Sequence, residues 1–263
     1  MTSKRRKWFT LGGVILIFVI LAVILFNPIR TLLTFHKVEG LPLYSMTYYG
    51  KAYNALRFTV PQSEEELRNT SILYPARFLE NQACTLFTAT GGETMIYGRN
   101  RDLWDQDIAL LVYTDPPGGY ASLSIVDLNQ LGVILQEGHE TISLGQRFLL
   151  MAAPLLPTEG MNEHGLTIAK ADVPSDAVRP FDPSKDSLLF RTAMREVLDH
   201  AKTTQEAIEL LAQYNLAFGE TGGHFLIADP SGDSAIVEYF DNEVQVIRSP
   251  NAVSYTHLRA HET

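Results

Sequence analysis

Residues 84–102 read Cys-Thr-Leu-Phe-Thr-Ala-Thr-Gly-Gly-Glu-Thr-Met-Ile-Tyr-Gly-Arg-Asn-Arg-Asp and hold the only cysteine of a 263-residue chain. The spacing predicts two short strands, 85–90 and 93–98. Thr, Phe, Ile and Tyr suit a pleated surface, and Gly91-Gly92 suits the positive φ angles of a two-residue hairpin turn. With those glycines as the turn, Thr90 faces Glu93 and Cys84 falls opposite Arg99, with Asp102 three residues further on. A cation beside a thiol favours the nucleophilic thiolate. The pairing depends on turn length, and a one-residue slip would send Arg99 to the other face. Plainer readings stand beside this one. A lone cysteine can be a small buried apolar residue. Arg99 and Asp102 can be a surface ion pair worth under about 1 kcal/mol.

The chain allows one large domain or two small ones, and at 46% hydrophobic and 19% charged residues it can build a sizeable core. Its formal charge is −9, and residues 4–7 supply four positive charges, so the remainder sums to −13. Such an acidic body is not suited to nucleic acid. One cysteine excludes an intrachain disulfide. The seven histidines show no zinc spacing, no Gly-x-Ser-x-Gly elbow or phosphate loop occurs, and no metal or cofactor is expected.

Lys4–Lys7 precede an uncharged stretch, 8–26, dominated by Val, Ile, Leu and Phe. Nineteen helical residues at about 1.5 Å each approach the roughly 30 Å apolar core of a bilayer. No small-x-small cleavage site follows Ala22, so an uncleaved signal anchor is preferred to a cleaved signal. The basic flank then stays cytoplasmic, and residues from about 30 onward lie outside the cytosol. Residues 31–83 read as a propeptide or linker, with strand or hairpin character at 44–56 and a helix start at Ser63. Asn69-Thr70-Ser71 reads as a chance glycosylation match.

Further on, 107–113 and 120–126 are apolar runs, 144–155 reads as a short helix, and 166–173 as a strand. Amphipathic surface helices are expected at 187–201 and 203–214. Strands follow at 224–228, 234–239 and 244–248. His224 opens an apolar strand and reads as a hydrogen-bonded core histidine. Strands, paired helices and strands again indicate an α+β fold of two antiparallel sheets with helices outside. The tail, 254–263, has neither strand alternation nor a helical face and reads as non-native sequence, with the natural C-terminus missing.

Cys-Thr, a short hairpin, and Gly-Arg-Asn-x-Asp at 98–102 resemble the choloylglycine hydrolase, acid ceramidase-like and penicillin acyltransferase group of N-terminal-nucleophile hydrolases. The resemblance extends to Pro-Pro-Gly-Gly-Tyr-Ala-Ser at 116–122, Gly-Met-Asn-Glu-His-Gly-Leu at 160–166 and Ile-Ala-Asp-Pro-Ser-Gly-Asp-Ser at 227–234. It implies a four-layer αββα sandwich over 84–253, with the nucleophile at the end of a central strand. It also implies cleavage between Ala83 and Cys84. Cys84 then carries a thiol and an α-amine, whose ordinary pKa of about 8 suits a general base. By the same resemblance Arg99 holds substrate or thiolate, and Asp102 orients the amine. Asn100 braces the turn.

The oxyanion donors depart from the pattern. Bile-salt hydrolases place an asparagine where this chain has Asp172, whose charge would repel an oxyanion. A second expected asparagine, near 220–221, is absent. Asn162 is a possible donor, with a turn-bracing role as its competitor. The departures argue against bile salts. A papain-type Cys/His pair stays open on spacing alone. Three functions are carried forward: a membrane-anchored, self-processing amidase for small N-acyl amines or N-acyl amino acids; an acyltransferase on the same site; and a non-catalytic extracytoplasmic binding domain.

Overall fold

The computed structural model describes residues 3–41, 43–50, 83–91, 94–102, 108–133, 142–173, 181–217, 222–240, 243–249 and 251–255. The chain opens with helix α1 (Ser3–Leu33) and strands β1 (His36–Lys37) and β2 (Leu43–Tyr48). Then come β3 (Ala83–Gly91), β4 (Thr94–Asp102), β5 (Ala109–Thr114) and β6 (Ser122–Asp127). Helix α2 (Leu144–Leu149) runs into a 3-10 segment, Leu150–Leu155, and is followed by β7 (Glu159–Asn162) and β8 (Thr167–Val173). Next are β9 (Ser187–Leu189), α3 (Phe190–His200), α4 (Thr204–Leu211) and β10 (Asn215–Ala217). Four strands close the described chain: β11 (Gly222–Ala228), β12 (Ser234–Phe240), β13 (Glu243–Arg248) and β14 (Val253–Tyr255).

Among the described residues nine strands form one sheet, ordered β1-β2-β5-β6-β7-β8-β11-β12-β13. Its pairs are antiparallel except β2 with β5, which is parallel. The sheet is therefore mixed, not purely antiparallel as expected. A two-residue hairpin cannot link parallel neighbours, and here the long connection through β3 and β4 lies between them. A three-stranded sheet, β14-β3-β4, lies on one face of the large sheet, and a small parallel pair joins β9 to β10.

Period-2 alternation decides what each face touches. On one face Ile168, Phe225, Ile227, Val237 and Tyr239 pack against α3 and α4. On the other, Ala169, Ala171, Leu226 and Ile236 pack against Cys84 and Leu86 of β3. Each fully buried Leu, Ile or Phe stabilises the fold by about 1.5–3 kcal/mol. The second half of the large sheet covers Tyr44, Met46, Leu110, Val112 and Val126 with the Leu150–Leu155 segment.

Several expected elements change at their ends. The helix expected from residue 187 starts at Phe190, because Ser187–Leu189 pair as a strand with β10. The same pairing draws 215–217 out as a strand after the second helix. The helix expected over 144–155 tightens to 3-10 after Leu149, where Pro154 cannot donate back to Leu150. β7 falls in the Gly-Met-Asn motif and gave no strand signal. Helix α3 is not the expected surface helix: every residue from Phe190 to Asp199 is buried. Its charges survive burial by pairing, as in Arg195 with Asp199 at 2.6 Å, and Arg195 also donates to Ser122 Oγ at 2.6 Å.

Within α1, the most apolar 18-residue window of Gly13–Leu33 has mean hydropathy 2.4 and is unburied. It is long and apolar enough to cross a membrane, and a signal sequence has the same character. Residues 51–82 lie outside the described residues. So do the Ser63 helix start, the Asn69 match and the far part of the 44–56 hairpin. Of the suspect tail, Ser254 and Tyr255 pair with Leu86 and Thr85 through β14, and 256–263 lie outside the described residues.

Candidate active site

The last pair of the β3–β4 hairpin is Gly91 opposite Thr94, not Thr90 opposite Glu93 as expected. Every pair is displaced by two from the expected register. Cys84 stands opposite Arg101, Thr85 opposite Asn100, Leu86 opposite Arg99, and Ala83 opposite Asp102. An even displacement keeps each side chain on its face. Arg99 therefore still points between the sheets with Cys84 and reaches it on the diagonal, its Nη2 donating towards Sγ at 3.8 Å. Asn100 is exposed on the outward face.

Cys84 is 2% exposed, among Leu86, Ala169, Ala171, Leu226 and Tyr97. The two alanines leave room for the sulfur where larger residues would fill it. Arg99 is clamped from the large sheet: Nη1 donates to the Thr158 carbonyl at 3.2 Å and Nη2 to the Lys170 carbonyl at 3.3 Å. Glu159 Oε2 lies 3.4 Å from Nη1. Burial by itself would lower the Arg99 pKa, but Glu159 and the Cys84 sulfur outweigh it, and the guanidinium stays above its ordinary value. A fixed positive charge thus faces the thiol. Arg101, across the hairpin from Cys84, pairs with buried Asp127.

Asn162 does not stand ready for an oxyanion. Its Nδ2 donates to the carbonyls of Leu198 at 3.1 Å and Ala201 at 2.7 Å. Its Oδ1 accepts from the backbone N–H groups of His164 and Leu166. The amide is fully used in bracing the turn against the end of α3. Asp172 is also misplaced for that role. It follows Ala171, so it takes the opposite face, where it pairs with Lys170. Lys170 in turn lies 4.2 Å over the Phe190 ring, on the helix side. The charge that would repel an oxyanion is turned away from Cys84.

His224 is buried between the sheets, its Nδ1 3.8 Å from Glu238 Oε1. Burial, and then the Lys170 charge, lower its pKa to about 4, so it is neutral at pH 7. A core position is confirmed for it. Among the described residues no His, Cys, Asp and Glu cluster could hold a metal ion.

Sequence reading missed Glu159, Thr158 and Lys170 because they arrive from other strands. Glu159 did carry a signal, standing directly before the Gly-Met-Asn motif. Beyond it a trough of about 210 Å³ opens, lined by Tyr97, Leu111, Leu123, Ile125, Glu159 and Met161. It is mostly apolar, with Ser124, Thr167 and Glu159 as its polar lining.

A variant of conjugated bile acid hydrolase from Clostridium perfringens is similar at TM-score 0.48 and 18% identity, over 67% of this chain and 54% of that one. Penicillin V acylase from Agrobacterium tumefaciens gives 0.33 and 19%, over 64% and 42%. A second variant of the Clostridium perfringens hydrolase gives 0.37 and 16%, over 68% and 46%. The chain spans about half the length of these solved structures. No curated protein matches it in sequence. Residues 88–258 match the family model described as acyl-coenzyme A:6-aminopenicillanic acid acyl-transferase. That stretch takes in Arg99, Asp102, Asn162 and Asp172 and begins four residues after Cys84. It covers well over half of the chain, and it agrees with the group the motifs resembled: the chain belongs to the acyl-coenzyme A:6-aminopenicillanic acid acyl-transferase family.

Proposed function

We propose that the chain is an N-terminal-nucleophile amidase or acyltransferase for small N-acyl amines or N-acyl amino acids, with Cys84 as nucleophile. The observation that carries this is the Arg99 guanidinium, held by two carbonyls and Glu159, at 3.8 Å from the only thiol. Cleavage of the Ala83–Cys84 bond exposes the α-amine, which Asp102, level with Ala83 across the hairpin, is assigned to orient. The thiolate attacks the amide carbonyl carbon, the C–N bond breaks, and the protonated α-amine gives its proton to the leaving amine. An acyl-thioester remains. Water then attacks it, the α-amine takes the proton, and the acid leaves as the thiol is restored. An amine in place of water gives acyl transfer, the reaction in the family's name. The apolar trough beyond Glu159 takes the acyl chain.

The reading includes a membrane-anchored domain outside the cytosol. It also includes a second helical layer over the outward face of the three-stranded sheet, where Phe87, Ile96 and Val253 stand exposed. Cleavage before Cys84 would not release the anchor. β2 remains paired with β5, and Thr31 and Thr34 hydrogen-bond Tyr49 and Thr47 of that edge. Denaturing mass spectrometry of the purified full chain should show two fragments divided at Ala83/Cys84. The Cys84→Ala variant should stay whole and inactive on a panel of N-acyl substrates, assayed with and without an amine acceptor. Amide turnover that persists in Cys84→Ala would sink the proposal.

A further inference from the structure

The C-terminal end of α1 is built into the domain. Thr31 is fully buried, and its Oγ1 accepts from the Tyr49 N–H at 3.0 Å. Thr34 Oγ1 accepts from the Thr47 N–H at 2.9 Å. Leu32 and Phe35 pack on the core cluster that holds Leu150, Ala153 and Leu155, and Phe35 stacks on Tyr44 at 5.0 Å. A helix joined in this way holds the domain at the bilayer surface in a set orientation. The domain surface beside the helix exit must then face lipid headgroups.

That surface carries α2. Its N-terminus is closed by a capping box between Ser143 and Gln146, and its C-terminal end is anchored by fully buried Leu150. Between these fixed points Leu144 is 78% exposed, Phe148 61% and Leu149 44%. Leu144 and Phe148 are four residues apart and share one face. Arg147 ties the element to the helix exit, its guanidinium 5.9 Å from the Phe35 ring. Arg30 lies 3.6 Å over Tyr49 at the same level. Basic and aromatic side chains grouped where a span leaves the bilayer are typical of the interface. Three large apolar side chains exposed together on one short, capped helix call for a cover.

We propose that α2 is a second membrane contact, with Leu144, Phe148 and Leu149 entering the interface of the bilayer that α1 crosses. The partner is lipid, since α2 is joined through Arg147 and the Phe35 ring to the end of α1, where Ile29 is 52% and Leu33 79% exposed. The inference rests on reading α1 as a membrane span. With two contacts, the domain cannot swivel about its anchor.

The test is nitroxide accessibility in full-length protein reconstituted into phosphatidylcholine vesicles. Single cysteines are placed at Phe148→Cys, Val19→Cys and Gln213→Cys in a Cys84→Ser background. All three positions are exposed, so the fold tolerates the label. At Phe148 collision with oxygen should exceed collision with a water-soluble nickel chelate, as at Val19, and the order should reverse at Gln213. Nickel access at Phe148 equal to that at Gln213, with Val19 shielded, overturns the inference alone. Nickel access at Val19 overturns the span and the inference together. Dipolar broadening of the Phe148 label that vanishes on dilution with unlabelled protein shows a second copy covering the patch, and also overturns it.

Discussion

Replacing Arg99 by Met keeps a long apolar stem and removes the guanidinium. Four contacts are lost: the Thr158 carbonyl at 3.2 Å, the Lys170 carbonyl at 3.3 Å, Glu159 at 3.4 Å and the Cys84 sulfur at 3.8 Å. Removing one member of a buried ion pair costs about 3–5 kcal/mol, mostly because the other charge stays behind unpaired. The Glu159 side chain is 27% exposed, so water reaches it. That places the loss near the lower bound, about 3 kcal/mol. For a domain of this size each kcal/mol lowers Tm by about 2–4 °C, so Arg99→Met should melt roughly 6–12 °C below the parent. The assay is thermal unfolding followed by circular dichroism, with the intact mass recorded alongside. Glu159→Gln added to Arg99→Met should recover part of the loss, because the stranded carboxylate is gone. A loss under about 1 kcal/mol, with no recovery in the double variant, would return the pair to the weak surface class and refute the buried clamp.

Asn162→Ala deletes four hydrogen bonds of a buried amide and should destabilise the fold by about 2–4 kcal/mol. Turnover per folded molecule should be kept, and a fall in kcat at unchanged stability would place Asn162 back in the site. His224 has its pKa lowered from 6.5 to about 4 by burial, with Lys170 adding to the effect. The unfolded chain then binds a proton below 6.5 that the folded chain refuses. The stability this group contributes is present above 6.5 and is lost as pH falls from there to about 4. His224→Gln should flatten the stability profile in that window, and denaturant melts showing an unchanged slope would contradict the assignment.

Much of the hairpin was legible because strand periodicity is local. Cys84 and Arg99 share a face in any register displaced by an even number, so their proximity survived the wrong choice of turn. The turn itself was not legible, since Gly91, Gly92 and Glu93 allow two adjacent two-residue loops and local sequence barely separates them. The ends of the helices near 187 and 214 were misjudged for a different reason. Whether 187–189 coil or extend depends on a parallel partner at 215–217, and pairing across that distance overrides propensity.

The amino-acid order by itself determined most of the element types, the inward and outward faces of β3 and β4, the lone thiol with a guanidinium on its side, and an apolar N-terminal helix opened by basic residues. These follow from periods of two and 3.6 and from composition, which need no distant contact. Only the tertiary structure decided that Glu159 and the carbonyls of Thr158 and Lys170 hold Arg99. It alone turned Asp172 towards Lys170 and used up the Asn162 amide beneath α3. Which carboxylate meets which cation depends on how two sheets stack, and stacking is set by the summed burial of many side chains from strands far apart in the chain.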